Sequence, residues 1–132
     1  FGCKTDWLMS FKKLIKGTRK MEWVEVFIQY LSAYEQKDLD SVSDMFADDI
    51  ALRDWKISVK GKRLAVDETR KNFENADSIE IDVLSTMANE NMVCGELKIV
   101  VDKSETLFVV DVLKFNENGK ITAIHAYLGR DD

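Results

Sequence analysis

The sequence predicts an α+β domain in which a strongly curved antiparallel sheet wraps around about three helices, with an extra helix at the N-terminus. Two observations support this prediction. Apolar residues recur at helical spacing early in the chain, and four later segments alternate apolar and polar residues as strands do. Helices followed by successive strands are typical of the α+β class. A sheet bent over helices also leaves a concave pocket between the two layers.

Length and composition describe one ordinary soluble globular domain. The 132 residues are 45% hydrophobic and 33% charged, and no apolar run approaches the roughly 18 residues of a membrane span. Two cysteines, Cys3 and Cys94, and a single histidine, His125, are too few for a disulfide framework or a histidine-built metal centre. The sequence has no glycine-rich phosphate loop and no metal-ligand motif, so no cofactor is expected.

Charge is distributed unevenly along the chain. Residues 1–20 contain six basic residues and one acidic residue, which leaves the rest of the chain with a net charge of −10. A body this acidic argues against nucleic acid as a partner. The sequence therefore predicts a basic amphipathic arm at residues 1–20 and a domain at residues 21–132. The apolar residues of the arm at helical spacing are Trp7, Leu8, Phe11, Leu14 and Ile15.

Two interpretations of this arm stay open. In one, its helix docks on its own domain or on a second subunit, because an apolar stripe usually serves packing. In the other, it contacts an acidic membrane surface or a protein partner. A cytoplasmic location is favoured. Gly2-Cys3 resembles the end of a lipoprotein signal, which leaves a processed or exported form open.

Residues 21–36 are predicted to form the clearest helix. Its apolar face holds Trp23, Phe27, Tyr30, Leu31 and Tyr34. A tyrosine on such a face either packs in the core, with its hydroxyl bonded to some partner, or donates a hydrogen bond into a cavity. Asp38 or Asp40 is suited to cap the short helix that follows.

Residues 50–55 are predicted to form a strand that carries a carboxyl group. Alternation places Asp54 on the face of Ile50 and Leu52, while Arg53 points the other way. The alternative is an aspartate in water, since polar residues are common where strands end. Lys60-Gly61-Lys62 is predicted to be a turn, and residues 64–73 a helix.

Four successive strands are predicted at residues 78–87, 92–101, 109–115 and 120–128. Asn118-Gly119 suits a hairpin turn, because these residues tolerate positive φ. In the last strand, alternation places His125 on one face with Ile121, Ala123 and Tyr127.

Asp111 stands in the middle of the most apolar strand. Alternation places it on the face of Val109, Leu113 and Phe115. An ionised carboxylate among such neighbours is costly, and the usual result is a raised pKa and a neutral acid that donates a hydrogen bond. In the alternative interpretation, Asp111 accepts hydrogen bonds from nearby groups and only holds the structure together.

Four sequence motifs between about Glu22 and Leu128 carry a family resemblance. They are Met45-Phe46-Ala47-Asp48-Asp49 with Asp54 following, Val110-Asp111-Val112-Leu113-Lys114-Phe115, Asn118-Gly119-Lys120-Ile121 and Ala126-Tyr127. These motifs resemble the SnoaL-like branch of the NTF2-like superfamily, and within it the bacterial ketosteroid isomerases. The resemblance implies an NTF2-like cone and a homodimer.

The resemblance also implies roles for three residues. Tyr30 falls where the isomerases have the tyrosine that binds the oxyanion, Asp54 where they have the general base, and Asp111 where they have a protonated aspartic acid. In that chemistry, two donors stabilise the charge on a carbonyl oxygen while a carboxylate moves a proton between carbons. The expected substrate is a small hydrophobic carbonyl compound. The residues expected to line the pocket are Phe27, Tyr34, Phe46, Trp55, Phe73, Val109, Leu113, His125 and Tyr127.

Other functions stay open, because this fold hosts many activities. The main hypothesis is a ketosteroid-isomerase-like isomerase. The alternatives are a non-catalytic domain that binds a hydrophobic ligand or another protein, and an enzyme that resembles the polyketide cyclases. Epoxide hydrolases of the superfamily use an Asp-Arg-Asp relay, and no arginine is phased to join Asp54 and Asp111.

Overall fold

The computed structural model describes residues 19–130. The helices of this part are α1 (Arg19–Glu35), α2 (Leu39–Met45) and α3 (Lys62–Asn75). Its strands are β1 (Phe46–Arg53), β2 (Ser58–Lys60), β3 (Ile79–Ala88), β4 (Met92–Val101), β5 (Glu105–Phe115) and β6 (Ile121–Leu128). This confirms the predicted α+β class. None of these helices is long and apolar enough to span a membrane.

The six strands of the described part form one sheet in the order β2-β1-β6-β5-β4-β3. Neighbouring strands are antiparallel except β1 and β6, which are parallel. The sequence pattern predicted neither this parallel pair nor the short strand β2. The pairing joins Leu52 to Ile124 across more than half of the chain, and no local pattern reports such a contact.

Irregular pairing helps the sheet to curve around the helices. The register shifts between β3 and β4, between β5 and β6, and between β1 and β6. An extra residue on one strand increases the local twist and bend. Because side chains alternate between the two faces of a strand, the extra residue also exchanges the inward-facing and outward-facing residues beyond it.

Helix α1 crosses the concave face of the sheet and divides it into a core end and an open end. At the core end, the Trp23 ring stacks on Phe115 with centroids 4.6 Å apart, and Phe27 is fully buried. A Cβ on Gly95 would lie 2.3 Å from the Phe27 ring, so only glycine lets the helix approach β4 this closely. Tyr30 and Tyr34 follow on the same helix at the open end.

Local signals set several of the element boundaries. The Asp38 side chain accepts a hydrogen bond from the Ser41 backbone N–H, which confirms it as the N-cap of α2. Gly61 before α3 and Gly119 before β6 have φ values of 98° and 78°, where a side chain would be strained. The turn residues predicted from sequence therefore lie where the chain reverses.

The predicted arm lies largely outside the described residues. Only the backbone of its last two residues is described, as the first turn of α1. The division of the chain at residue 20, the contacts of the arm and the homodimer stay predictions.

Candidate active site

A cavity of about 480 Å³ lies between the concave sheet face and helices α1 and α3. This volume is within the range of pockets that bind small molecules. Apolar side chains from β1, β3, β4, β5 and β6 contribute to its wall, among them Leu52, Ile81, Ile99, Val109 and Ile124. Tyr30, Asp54 and Asp111 also line it, so the structure brings the three predicted site residues to one cavity.

Asp111 belongs to β5, where it pairs with Gly95 of β4 and Ala126 of β6. On the inward face of this strand, Leu107 and Val109 line the cavity, whereas Leu113 and Phe115 beyond Asp111 belong to the core. Asp111 is only 8% exposed. Burial, and secondarily the charge of Asp54, raises its pKa to about 7. Below that pH the group is a neutral acid that can donate a hydrogen bond.

Tyr30 belongs to α1 and is 5% exposed. Its pKa lies well above the ordinary value of 10.0, first because of burial and then because of Tyr34 and Asp111. Neither Tyr30 nor Asp111 makes a side-chain hydrogen bond within the described part of the chain, where every fully buried side-chain oxygen has a partner. Their polar atoms therefore reach the cavity and are available to a ligand.

Asp54 follows β1 directly, in a tight turn. One of its oxygens, Oδ1, accepts the backbone N–H groups of Lys56 at 2.7 Å and Ile57 at 2.8 Å. The other, Oδ2, has no hydrogen-bond partner among residues 19–130. Leu52 pairs with Ile124, so Asp54 lies two residues further along, level with Ala126 and hence with Asp111. The two intervening strand spacings place the Asp54 and Asp111 backbones about 10 Å apart.

Helix α3 supplies polar groups to the cavity that the sequence pattern did not predict. Asn72 donates a hydrogen bond from Nδ2 to the Tyr34 hydroxyl at 2.9 Å, and the buried Thr69 also lines the cavity. The helix itself was predicted, and the spacing of Ala65, Thr69 and Phe73 could have identified its inward face. Its contact with Tyr34 joins residues 38 positions apart, which no local pattern shows.

Of the nine residues predicted to line the pocket, Tyr34, Trp55 and Val109 do so. Trp55 is 42% exposed and therefore stands at the mouth. The prediction is wrong for Phe27, Phe46 and Leu113, which are fully or almost fully buried in the core end of the domain. Phe73 also belongs to the core, where its ring packs against the Tyr34 ring with centroids 4.8 Å apart. The first half of α1, with Trp23 and Phe27, fills the core end of the sheet.

The prediction is also wrong for His125 and Tyr127. They lie on the outer face of the sheet, and Tyr127 is 58% exposed. The register shift between β5 and β6 falls after Ile121, and it places Ile124 and Ala126 inward in place of their neighbours. Plain alternation from Ile121 therefore assigned the wrong face to His125 and Tyr127.

Charged groups stand near the mouth of this cavity. Lys71 of α3 forms an ion pair with Glu68 at 3.0 Å, and Lys56 lies in the turn after Asp54. Across residues 19–130, no three histidine, cysteine, aspartate or glutamate side chains come together as metal ligands would. The chemistry that these residues can supply by themselves is proton transfer and hydrogen bonding.

Comparison with known proteins identifies the fold. The family model of the SnoaL-like domain matches residues 27–124. A solved NTF2-like protein of unknown function from Cytophaga hutchinsonii has a TM-score of 0.69 and 13% identity, over 81% of this chain and 89% of that one. An LEH-like epoxide hydrolase of Mycobacterium tuberculosis has a TM-score of 0.72 and 18% identity, over 84% of this chain and 85% of that one.

A third similar structure is SalBIII, an epoxide hydrolase/cyclase-like enzyme of pyran ring formation in the polyether salinomycin. It has a TM-score of 0.73 and 18% identity, over 85% of this chain and 94% of its own. At such identities the likeness extends to the fold alone. No curated protein matches the sequence.

Proposed function

This chain belongs to the SnoaL-like domain family of the NTF2-like superfamily, and we propose that it is a ketosteroid-isomerase-like acid/base catalyst. It would remove a proton α to a carbonyl group of a small hydrophobic compound and return it further along the conjugated system. One observation carries this proposal. Two aspartates in different surroundings, the buried Asp111 and the turn residue Asp54, open on one cavity together with Tyr30.

The donors of the proposed site are Tyr30 and Asp111. Loss of the α proton builds negative charge on the carbonyl oxygen, and hydrogen-bond donors in a site with little water stabilise that charge. Burial raises the pKa of Asp111 to about 7, so the neutral form is a substantial fraction at neutral pH. The same cause keeps Tyr30 protonated. Both side chains therefore have a proton to donate in the cavity that they line.

Asp54 is the proposed base. Its Oδ1 is fixed by two backbone N–H groups, which leaves Oδ2 to take the proton. The turn holds this carboxylate at the wall of the cavity.

The apolar part of the cavity wall supports a hydrophobic substrate, since isoleucine, leucine and valine side chains line it beside the polar groups. It gives less support to epoxide hydrolysis by an Asp-Arg-Asp relay. The cations that line the cavity, among residues 19–130, are Lys56 and Lys71 rather than an arginine. Arg53 is exposed, and its Nε donates to the Asp54 backbone carbonyl.

Turnover of a panel of β,γ-unsaturated ketones tests the proposal. We expect Asp54→Asn to lower kcat by about 100-fold or more, the usual contribution of a general base. Tyr30→Phe and Asp111→Asn should each lower kcat by about 100-fold if they donate to the oxyanion. Tyr127→Phe is the matched control, because it removes an exposed phenol on the outer face of the sheet. Equal activity of Asp54→Asn and wild type would refute the assignment of the base.

One observation favours a second candidate, the binding of a hydrophobic ligand without turnover. The two backbone N–H groups on Asp54 restrain its carboxylate, and a base must reach two carbon atoms. A wild type that binds unsaturated ketones and converts none of them would support this candidate. Ring closure of a polycarbonyl chain, as in a polyketide cyclase, uses the same donors and is distinguished by its cyclic product.

A further inference from the structure

Tyr34 is a second tyrosine at the cavity, one helical turn after Tyr30 on α1. Two neighbours on α3 hold it in place. The ring meets the edge of Phe73 with centroids 4.8 Å apart, and the hydroxyl oxygen accepts a hydrogen bond from the Asn72 amide at 2.9 Å. Both contacts that orient this phenol therefore come from a different helix from the one that carries it, and the Asn72 bond is exposed to solvent.

The Asn72 bond decides what the Tyr34 hydroxyl can still do. A phenol whose oxygen accepts a hydrogen bond keeps its own proton to donate. Within the described part of the chain no group accepts that proton, and the side chain lines the cavity. Burial raises the pKa of Tyr34 to about 12, so the proton stays on the oxygen at neutral pH. Tyr34 is therefore a donor that is free to bind a ligand.

The two tyrosines stand side by side on α1. Their ring centroids are 5.9 Å apart, close to the rise of one helical turn. If Tyr30 and Asp111 hold one carbonyl oxygen, as the proposed function requires, the Tyr34 hydroxyl is available to an acceptor a few bonds away. We propose that Tyr34, positioned by Asn72, binds a second oxygen of the substrate. The site then selects carbonyl compounds with two oxygens over ketones with one.

Equilibrium binding of two matched probes tests this proposal. The probes are 1,3-dihydroxynaphthalene and 3-methyl-1-naphthol, in which a methyl group replaces one hydroxyl. Wild type should bind the diol about 10-fold more tightly, as one well-placed hydrogen bond allows. The ratio of the two dissociation constants, measured by calorimetry at pH 6, should approach one in Tyr34→Phe. Tyr127→Phe, which removes an exposed phenol on the outer face of the sheet, should keep the wild-type ratio.

Two substitutions at Asn72 test the direction of the hydrogen bond. Asn72→Asp has the same shape, but its carboxylate would accept the Tyr34 proton and withdraw it from the ligand. It should abolish the preference for the diol as Tyr34→Phe does. Asn72→Ala frees the hydroxyl to rotate, and it should reduce the ratio only about threefold. If Asn72 had only a structural role, its substitution would weaken the binding of both probes alike and leave the ratio of their dissociation constants unchanged.

The outcomes separate this inference from the proposed function. The role of Tyr34 is overturned if wild type binds neither probe or binds both equally. It is also overturned if Tyr34→Phe keeps the wild-type preference for the diol. Turnover of an unsaturated ketone that depends on Asp54 would stand in either case. Conversely, a selectivity lost in Tyr34→Phe supports the second donor even where no ketone is converted.

Discussion

The protein should become less stable as pH rises from about 4 to about 7, because Asp111 binds a proton more tightly in the folded state than in the unfolded state. Its pKa is about 7 in the folded protein, against the ordinary aspartate value of 3.8. Between these values the folded state holds a proton that the unfolded state has released, so the free energy of unfolding falls with increasing pH. At 1.36 kcal/mol for each pH unit, the total effect is about 4 kcal/mol.

Asp111→Asn removes this titration and keeps the shape of the side chain. Urea unfolding of both proteins at pH 5.0 and pH 6.5 measures the effect. Between these two pH values the free energy of unfolding of wild type should fall by about 2 kcal/mol more than that of the variant, because only wild type takes up this proton on folding. Above pH 7 the variant should be the more stable of the two, because wild type then buries a carboxylate.

A matched control is Asp82→Asn, which changes an exposed aspartate of β3. It should reproduce the wild-type dependence on pH. If the free energy of unfolding depended on pH in the same way for wild type and Asp111→Asn, the reasoning would be refuted, because Asp111 would then take up no proton on folding. The same titration predicts that kcat falls as pH rises through about 7, where the neutral donor is lost.

Three further substitutions test how the structure positions the site. Gly95→Ala puts a Cβ 2.3 Å from the Phe27 ring and should lower the free energy of unfolding in urea by about 1–3 kcal/mol. Adding Phe27→Leu to that variant should restore part of the lost stability. Trp23→Phe loses the indole N–H bond to the Glu90 carbonyl at 2.7 Å, and thermal unfolding should show a loss of about 1 kcal/mol. Asp38→Ala removes the cap of α2 and should lower the thermal unfolding midpoint, with circular dichroism monitoring the helix. An unchanged midpoint in any of these would contradict the contact concerned.

Local sequence patterns were sufficient for the elements that carry the site. Alternation placed Asp111 on the inward face of β5, and the helical period placed Tyr30 and Tyr34 on the inward face of α1. Side-chain direction repeats every two residues in a strand and every 3.6 in a helix, so a run of consecutive residues contains this information. The family resemblance added the proposed roles, which the tests above address.

The sequence by itself therefore determined the class of fold, most element boundaries and the inward phase of Tyr30 and Asp111. Only the tertiary structure decided that β1 lies parallel to β6, that the register shift after Ile121 turns His125 outward, and that Asn72 reaches Tyr34. The physical reason is the range of the interaction. Periodicity is fixed by the geometry of adjacent residues, whereas register and side-chain contacts between elements depend on how distant segments pack.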